Sequence, residues 1–377
     1  MTANAESTMY WPEDGIALTK EAIDRLISWA SGLGASSIRL QSDHRIGIGL
    51  HGKNYQVTRQ KLLNTDTKTA LRHFFRSEDG ASLIARKEHI NISHCVWPNR
   101  RARRYSFRIQ AHGCRVGVSE GMSIILRPLA DIPRPLEEQE VEPELIEAMN
   151  QGSGFYPVCG PTGSGKTTLL GGFVRDWLED PNEHRNIIEG SKPIEILYDL
   201  VKQPSSRIDQ TEIGAHFHSF PDFIEAAVRS EPTDIIVGEC NNTQTMMAAL
   251  QGGISGHALL TSLHTNDPAS TMQRIIGLCP PDQAGSMTLA AAEGMRVIVN
   301  QRLLPSTDGK RTPIRSFIRF NHARRSRLLD APVERWPGLI REMVDNEGQS
   351  FAKAIARAHS EGRISDEVAG RASRRED

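Results

Sequence analysis

The sequence lacks any apolar run close to the roughly 20 residues that a helix needs to cross a bilayer. Its first residues also lack the charged-then-apolar order of a secretory signal. The formal net charge is only −1, so we expect no strong electrostatic field for nucleic acid. These absences predict a cytoplasmic protein that neither inserts into a membrane nor binds nucleic acid directly.

Cysteine is also scarce. The five cysteines are odd in number and widely scattered, and none has the paired spacing of a zinc motif or a disulfide framework. We interpret them as small buried hydrophobic residues. They are Cys95, Cys114, Cys159, Cys240 and Cys279.

The length of 377 residues predicts two domains rather than one core. Residues 1–130 combine a helical pattern after Thr19 with several alternating apolar patterns, which predict a small α+β domain. Residues 131–143 hold three prolines and four glutamates and are interpreted as a linker. Strand-like runs alternate with helical patterns over residues 144–320, as in a parallel sheet covered by helices. Residues 321–377 are rich in Arg and Ala and are predicted to be helical with a polar tail.

One segment matches the spacing of a phosphate-binding loop, in which Gly and four further residues precede Gly-Lys-Ser/Thr. A strand-like run precedes this segment, and an amphipathic helical pattern follows it. In such a loop the backbone N–H groups surround phosphates at the positive end of the helix. We therefore predict binding of ATP, with Lys166 bridging the β- and γ-phosphates and Thr167 ligating Mg²⁺. The loop consists of Gly160, Pro161, Thr162, Gly163, Ser164, Gly165, Lys166, Thr167 and Thr168.

A carboxylate on a neighbouring strand is the second part that a site of this kind needs. Residues 235–237 predict a buried strand, and Glu239 emerges at its C-terminal end, where open α/β sheets bind ligands. Most enzymes with this loop have Asp where Gly238 stands, so Glu239 is expected to order the metal or the attacking water. His257 and His264 bracket the next apolar strand, and by themselves they are weak evidence of catalysis.

Together these segments resemble the secretion-ATPase superfamily, which powers type II and type IV secretion and type IV pili. Residues 255–265 are similar to the His box of that family, and the pair Gly238 and Glu239 is similar to its Walker B ending. Residues 272–276 and 301–305 match further family motifs. Several motifs in the right order make this resemblance more specific than the phosphate loop alone.

The resemblance implies a hexameric ring in which each chain has a PAS-like α+β N-terminal domain followed by a RecA-like P-loop ATPase domain. It also implies ATP and Mg²⁺ as ligands, and peripheral docking at the inner membrane through proteins of a secretion or conjugation complex. Residues 193–213 and the overall length resemble the ATPases of type IVB secretion and plasmid conjugation. A type IV pilus retraction motor is the alternative.

The resemblance further implies that arginines of the N-terminal domain reach ATP and neutralise charge on the γ-phosphate. Three arginines stand in the matching stretch, and their sequence positions do not rank them. They are Arg108, Arg115 and Arg127.

The family has a further motif, the Asp box, in which an acidic pair precedes Pro, an apolar residue and Glu. This motif is altered in this chain. Ser191 and Lys192 occupy the positions of its acidic pair, whereas Glu195 fits the pattern. Either Glu195 or the upstream Glu189 could therefore be the general base. Otherwise hydrolysis depends on Glu239 and the two histidines, with slow turnover.

Two other classes of function remain as alternatives. Nucleic-acid translocation is suggested by the basic cluster of Arg100, Arg101, Arg103 and Arg104. No aromatic residues are interleaved for base stacking, so a solvated loop is the favoured interpretation. A small-molecule kinase would use the same phosphate loop, but the large N-terminal domain and the His box argue against it.

Overall fold

The computed structural model describes residues 9–51, 53–98, 104–129, 132–280 and 282–374. The chain forms two compact units, one of Met1–Asp131 with Lys192–Leu197 and one of Ile132–Ser191 with Tyr198–Asp377. Among the helices of the described stretches, none is long and apolar enough to cross a membrane. Arg100, Arg101 and Arg103 of the basic cluster lie outside the described residues.

The N-terminal unit is built on a six-stranded sheet of strand order β3-β2-β1-β6-β5-β4. All of its strand pairs are antiparallel. Its elements are, in chain order, α1 (Lys20–Gly32), β1 (Ser37–Gln41), β2 (Gly47–Leu50), β3 (Lys53–Gln56), α2 (Asn64–Phe75), α3 (Asp79–Ala85), β4 (Ile90–Val96), β5 (Tyr105–Val116) and β6 (Ser119–Leu129). This is the α+β arrangement that the sequence predicts.

Helix α1 shows how the sequence specifies these elements. The Thr19 side chain accepts a hydrogen bond from the N–H of Ala22, which caps the helix at its start. Ile23, Leu26 and Ile27 are completely buried, and their spacing places them on one face of the helix. Burial of this face in the core of the N-terminal unit holds α1 in the α+β fold.

The C-terminal unit is built on a seven-stranded sheet of strand order β13-β12-β7-β11-β10-β8-β9. The strands from β12 to β9 are parallel, and β13 runs antiparallel to β12 at the edge. The first of its elements are α4 (Pro143–Met149), β7 (Gly154–Cys159), α5 (Lys166–Glu179), β8 (Asn186–Ser191), β9 (Arg207–Glu212), α6 (Phe220–Ala227), β10 (Asp234–Val237) and α7 (Thr243–Ile254). They are followed by β11 (Ala258–Leu263), α8 (Pro268–Gly277), α9 (Ala284–Gly294), β12 (Val297–Pro305), β13 (Arg311–Arg319), α10 (His322–Leu329), α11 (Trp336–Glu347), α12 (Phe351–Ser360) and α13 (Asp366–Ser373).

The central strands of this sheet are buried along their whole length, as expected where helices cover both faces. Every residue of β7 and of β10 is buried. The phosphate loop follows β7 directly, and Glu239 and His264 follow the neighbouring strands β10 and β11. Because these strands are parallel, their carboxyl ends meet at one edge of the sheet, which becomes the candidate site.

The proline- and glutamate-rich segment before α4 is packed into the C-terminal unit. Glu142 and Arg315 of β13 form an ion pair (Oε2 to Nη1, 3.1 Å), and their side chains are only 3% and 1% exposed. Arg315 also donates to the carbonyl of Gln139 at 2.8 Å and to Oε1 of Gln301 at 2.7 Å. The second carboxylate oxygen of Glu142 accepts from Arg357 of α12 at 2.8 Å. This segment therefore joins β13 to the C-terminal helices.

Replacing Arg315 with alanine is expected to lower the free energy of unfolding by about 3–5 kcal/mol, because it leaves the Glu142 carboxylate buried without its main cation. Burial also lowers the pKa of Arg315 and the Glu142 carboxylate raises it, which shows how closely the two charges depend on each other. Urea unfolding monitored by circular dichroism measures the loss. The matched control is Arg229→Ala, which removes a pair with Glu225 that is 69% and 68% exposed. Equal stability of the two variants would contradict a structural role for the buried pair.

Candidate functional site

The phosphate loop has a backbone that only glycine can follow at several positions. Gly160, Gly163 and Gly165 have φ values of 145°, 76° and 86°. A Cβ atom on Gly160 would lie 2.3 Å from the carbonyl oxygen of Gln301. The sequence pattern of the loop thus corresponds to real conformational needs, and α5 begins directly after it at Lys166.

Lys166 lies over the loop with its ammonium group held by backbone carbonyls. Its Nζ donates to the carbonyl oxygens of Gly160 at 2.8 Å and Pro161 at 3.1 Å. The side chain is mostly buried, and the ammonium group is therefore fixed in position at the N-terminus of α5. A cation at the N-terminus of a helix is suited to binding phosphate.

His264 approaches the same lysine from the end of β11. Its Nδ1 lies 3.5 Å from Nζ of Lys166. Loss of hydration and the neighbouring ammonium group lower the pKa of His264 below its ordinary value, whereas Glu239 raises it more weakly. The lowered pKa favours the neutral imidazole at physiological pH, in which one ring nitrogen can accept a hydrogen bond and the other can donate one.

Glu239 lies just beyond the end of β10 and is half-buried. Its Oε2 accepts a hydrogen bond from Asn241 at 2.8 Å. The strand end is fixed by Ser262, whose hydroxyl donates to the carbonyl of Gly238 at 2.6 Å. A Cβ on Gly238 would lie 3.1 Å from Oγ of Ser191, so the close packing of β8 explains glycine at this position.

Thr167 and Thr168 lie in the first turn of α5, and both are exposed. Hydroxyl and carboxylate oxygens are the donors that Mg²⁺ prefers. Thr167 and Glu239 carry such oxygens, and their role in holding the ion stays a prediction.

Glu189, an alternative general base, is engaged on both carboxylate oxygens. It is buried on β8, where Ser191 donates to Oε1 at 2.5 Å and Gln210 donates to Oε2 at 2.7 Å. Burial of the Tyr198 phenol raises its pKa, and the nearby charge of Glu189 raises it further by a smaller amount. Glu189 thus orders the β8–β9 region, and Ser191 of the altered Asp box is part of this network.

The structure does not bring His257 to the phosphate loop, contrary to the expectation that both histidines join one site. His257 precedes β11 and His264 follows it, so a six-residue strand separates them. Its Nδ1 lies 2.8 Å from the carbonyl oxygen of Pro232 at the opposite edge of the sheet. A strand of this length spans about 20 Å, which is too far for a direct contact with phosphates held at Lys166.

The three arginines that the resemblance offers as ATP contacts all belong to the N-terminal unit. Two of them are neighbours on paired strands. Arg108 and Arg127 are opposed in the β5–β6 pair. Arg108 donates to Oε1 of Glu195 at 2.6 Å, and the segment Lys192–Leu197 is part of this unit. Arg115 lies seven residues further along β5, about 23 Å away, and donates to the carbonyl of Gly117 beside the hairpin turn. The three arginines therefore cannot all reach one phosphate group of the same nucleotide.

The sequence does not predict that the side chain of Gln301 holds the phosphate loop in place. Gln301 of β12 donates through Nε2 to the carbonyl of Ser164 at 2.8 Å and accepts from Arg315. The loop is thereby connected to the buried ion pair of Glu142. Residues 301–305 match a family motif, but no pattern in the sequence shows that Gln301 contacts the loop.

His264→Ala is expected to lower the turnover of ATP by about 10²-fold, because it removes a neutral donor beside the phosphate-binding ammonium group. ATP binding should change only slightly, since Lys166 and the loop amides remain. Steady-state hydrolysis and equilibrium titration with nucleotide measure the two effects. His218→Ala, at an exposed histidine of the same unit, is the control. A melting temperature many degrees lower with full specific activity would instead show that His264 is structural.

Comparisons with known proteins place the chain in a family. A family model described as Type II/IV secretion system protein matches residues 117–356. The solved structure of the Legionella pneumophila ATPase DotB is 28% identical, covers 96% of this chain and 98% of its own, and has a TM-score of 0.91. The pilus retraction motor PilT, solved with bound ADP, is 25% identical over 93% of this chain and 96% of its own, with a TM-score of 0.77.

Curated relatives agree with the structural neighbours. The "Twitching motility protein" of Neisseria gonorrhoeae is 26% identical over 266 residues, which are 70% of this chain and 69% of that protein. The matched family segment extends from the β5–β6 hairpin to α12 and includes the phosphate loop, Glu239 and His264. Since the family model matches well over half of the chain, the protein belongs to the type II/IV secretion system protein family, and it is an ATPase.

Proposed function

We propose that the protein is a hexameric cytoplasmic ATPase that powers a type IVB secretion or conjugative transfer apparatus. The observation that carries this proposal is the likeness to the DotB structure over nearly the whole chain, including the N-terminal unit. ATP-driven changes within each subunit would move the ring, and proteins of the inner-membrane complex would dock it.

Binding of ATP follows from the geometry of the loop. Backbone N–H groups at the start of α5 would hold the phosphates, and Lys166 would leave the carbonyls of Gly160 and Pro161 to contact the β- and γ-phosphates. His264 would donate from its neutral ring to a γ-phosphate oxygen. Thr167 would ligate Mg²⁺, which neutralises charge on the phosphates when bound, and Glu239 would face the ion and the attacking water.

Glu239 is the side chain best suited to order or deprotonate the attacking water. Both oxygens of Glu189 accept hydrogen bonds within the β8–β9 network, and Glu195 pairs with Arg108. By contrast, within the described stretches of the chain the half-exposed Glu239 carboxylate accepts one hydrogen bond, from Asn241. We therefore assign the general base to Glu239 and keep Arg108 and Arg127 as candidates for binding ATP.

The test of assembly uses the purified full chain. Mass photometry across a range of protein concentrations, together with the ATPase rate per chain, should show six-subunit rings and a specific activity that rises as rings form. Rings without any activity, or full activity in monomers, would contradict the proposal.

Gene deletion in the cells that carry the gene tests which apparatus the ATPase powers. Deleting the gene should abolish conjugative transfer or protein secretion, and the wild-type gene but not a Lys166→Ala gene should restore it. Loss of pilus retraction with normal transfer would instead favour the alternative, a retraction motor, to which the likeness to PilT points.

Direct translocation of nucleic acid is the least supported alternative. Of the basic cluster, the structure describes Arg104, whose guanidinium lies 5.9 Å from the ring centre of Trp97. If the chain fails to bind DNA at low salt, this alternative is removed.

A further inference from the structure

Three side chains far apart in the sequence converge in the N-terminal unit. Asp24 lies on α1, His73 on α2 and His94 on the edge strand β4. Oδ1 of Asp24 is 2.7 Å from Nε2 of His73 and 3.9 Å from Nε2 of His94. One ligand atom from each residue lies within 4.8 Å of the other two.

The histidines of this cluster are buried with unused ring nitrogens. The side chain of His94 is 5% exposed and that of His73 is 10% exposed. Within the described part of the chain, three of these nitrogens have no hydrogen-bond partner. They are both ring nitrogens of His94 and Nδ1 of His73. Buried polar atoms are normally paired, so the unpaired Nε2 of His94 beside the Asp24 carboxylate indicates a missing ligand at that position.

The surroundings fix the rings in place. His94 packs edge-on against Phe74 and His73, with ring centres 5.1 Å apart in both contacts. The aromatic wall excludes water from one side of the cluster. Asp24 remains 33% exposed and leaves a path from solvent to the centre of the triangle.

We propose that Asp24, His73 and His94 bind one Zn²⁺ ion. Two imidazole nitrogens and one carboxylate oxygen match the borderline character of Zn²⁺, whereas Mg²⁺ and Ca²⁺ prefer oxygen ligands alone. Three protein ligands leave a fourth position, on the exposed side of Asp24, for water.

The two distances from Asp24 suit this ion after small movements. Ligands about 2.0–2.2 Å from a tetrahedral zinc ion are about 3.3 Å apart. The Asp24–His73 contact would therefore widen and the Asp24–His94 contact would shorten, each by about 0.6 Å, which side-chain rotation can supply. In each neutral imidazole the proton moves to Nδ1, so that the Nε2 lone pair faces the ion.

The bound ion would connect two helices to the edge of the sheet. Helices α1 and α2 carry one ligand each, and β4 is the last strand of the sheet. Zinc would thus stabilise the N-terminal unit by binding its folded form and not the unfolded chain. This role is independent of the ATP site, which lies in the other unit.

Isothermal titration of the untagged, chelator-treated, nucleotide-free full chain with ZnCl₂ tests the proposal. We expect one ion per chain in the wild type. Losing a group that merely supports a metal ligand costs about 10–100-fold in affinity, so His73→Ala and His94→Ala should each weaken binding by at least about 100-fold. His89→Ala, at an exposed histidine of the same unit, is the matched control and should bind as the wild type does.

A second measurement remains decisive if a histidine variant folds poorly. Co²⁺ bound to the wild-type chain should show the visible absorption of a four-coordinate site with nitrogen and oxygen ligands, without thiolate charge transfer. The nearly isosteric Asp24→Asn should retain the wild-type circular dichroism and lose this absorption. No binding by the wild type, binding unchanged in the variants, or a thiolate band would each overturn the proposal.

Discussion

Lys166→Ala is expected to reduce ATP hydrolysis by about 10³-fold or more and to remove most nucleotide binding. The ammonium group is the fixed cation of the loop, held by the carbonyls of Gly160 and Pro161 at 2.8 and 3.1 Å. Without it, the β- and γ-phosphates would face the loop amides with no side-chain cation from the loop. Hydrolysis assays and titration with a fluorescent ATP analogue measure both effects.

The control for this substitution is Lys310→Ala, since the Lys310 side chain is 82% exposed in the turn between β12 and β13. It should leave both quantities within about twofold of the wild type, as is usual for exposed surface sites. If Lys166→Ala hydrolyses ATP at the wild-type rate, the assignment of the phosphate site is wrong.

Glu239→Gln is expected to bind ATP normally while its turnover falls by about 10²–10⁴-fold, the usual contribution of a general base. The amide retains the shape of the side chain and its contact with Asn241 but cannot take a proton. ATP should therefore remain intact on the protein, which single-turnover experiments with radiolabelled nucleotide can detect.

Three further glutamate substitutions sharpen this result. Glu225→Gln, at a side chain 68% exposed on α6, should have no effect. Glu195→Gln and Glu189→Gln test the other bases that the altered Asp box leaves open. Near-normal turnover in Glu239→Gln together with a large loss in Glu195→Gln would transfer the role to Glu195.

The features that the sequence predicted well are those set by short-range chemistry. The helix that follows Thr19 and the glycine spacing of the loop each depend on neighbours within a few residues. The position of Glu239 also followed from local pattern, because a parallel strand directs its C-terminal residue to the ligand edge.

The features that the sequence could not predict depend on contacts between distant segments. The sequence places Glu142 among several glutamates of a predicted linker. In the structure it is buried against Arg315, 173 positions further along the chain. His257 and His264 are near in sequence, but an intervening strand sends them to opposite edges of the sheet.

The cluster of Asp24, His73 and His94 shows the same limit for metal sites. A scan for cysteine and histidine spacing finds short-range motifs, whereas these ligands come from two helices and an edge strand. Only folding of the α+β unit places them within 4.8 Å of one another.

The central claim is that one triphosphate binds in the backbone amides of the loop, with the Lys166 ammonium group beside it. Calorimetric titration of the full chain with a non-hydrolysable ATP analogue and Mg²⁺ tests this claim most directly. We predict saturable binding that the Lys166→Ala chain loses and the Lys310→Ala chain retains. Absence of binding to the wild type, or equal binding to the Lys166→Ala chain, would contradict the claim.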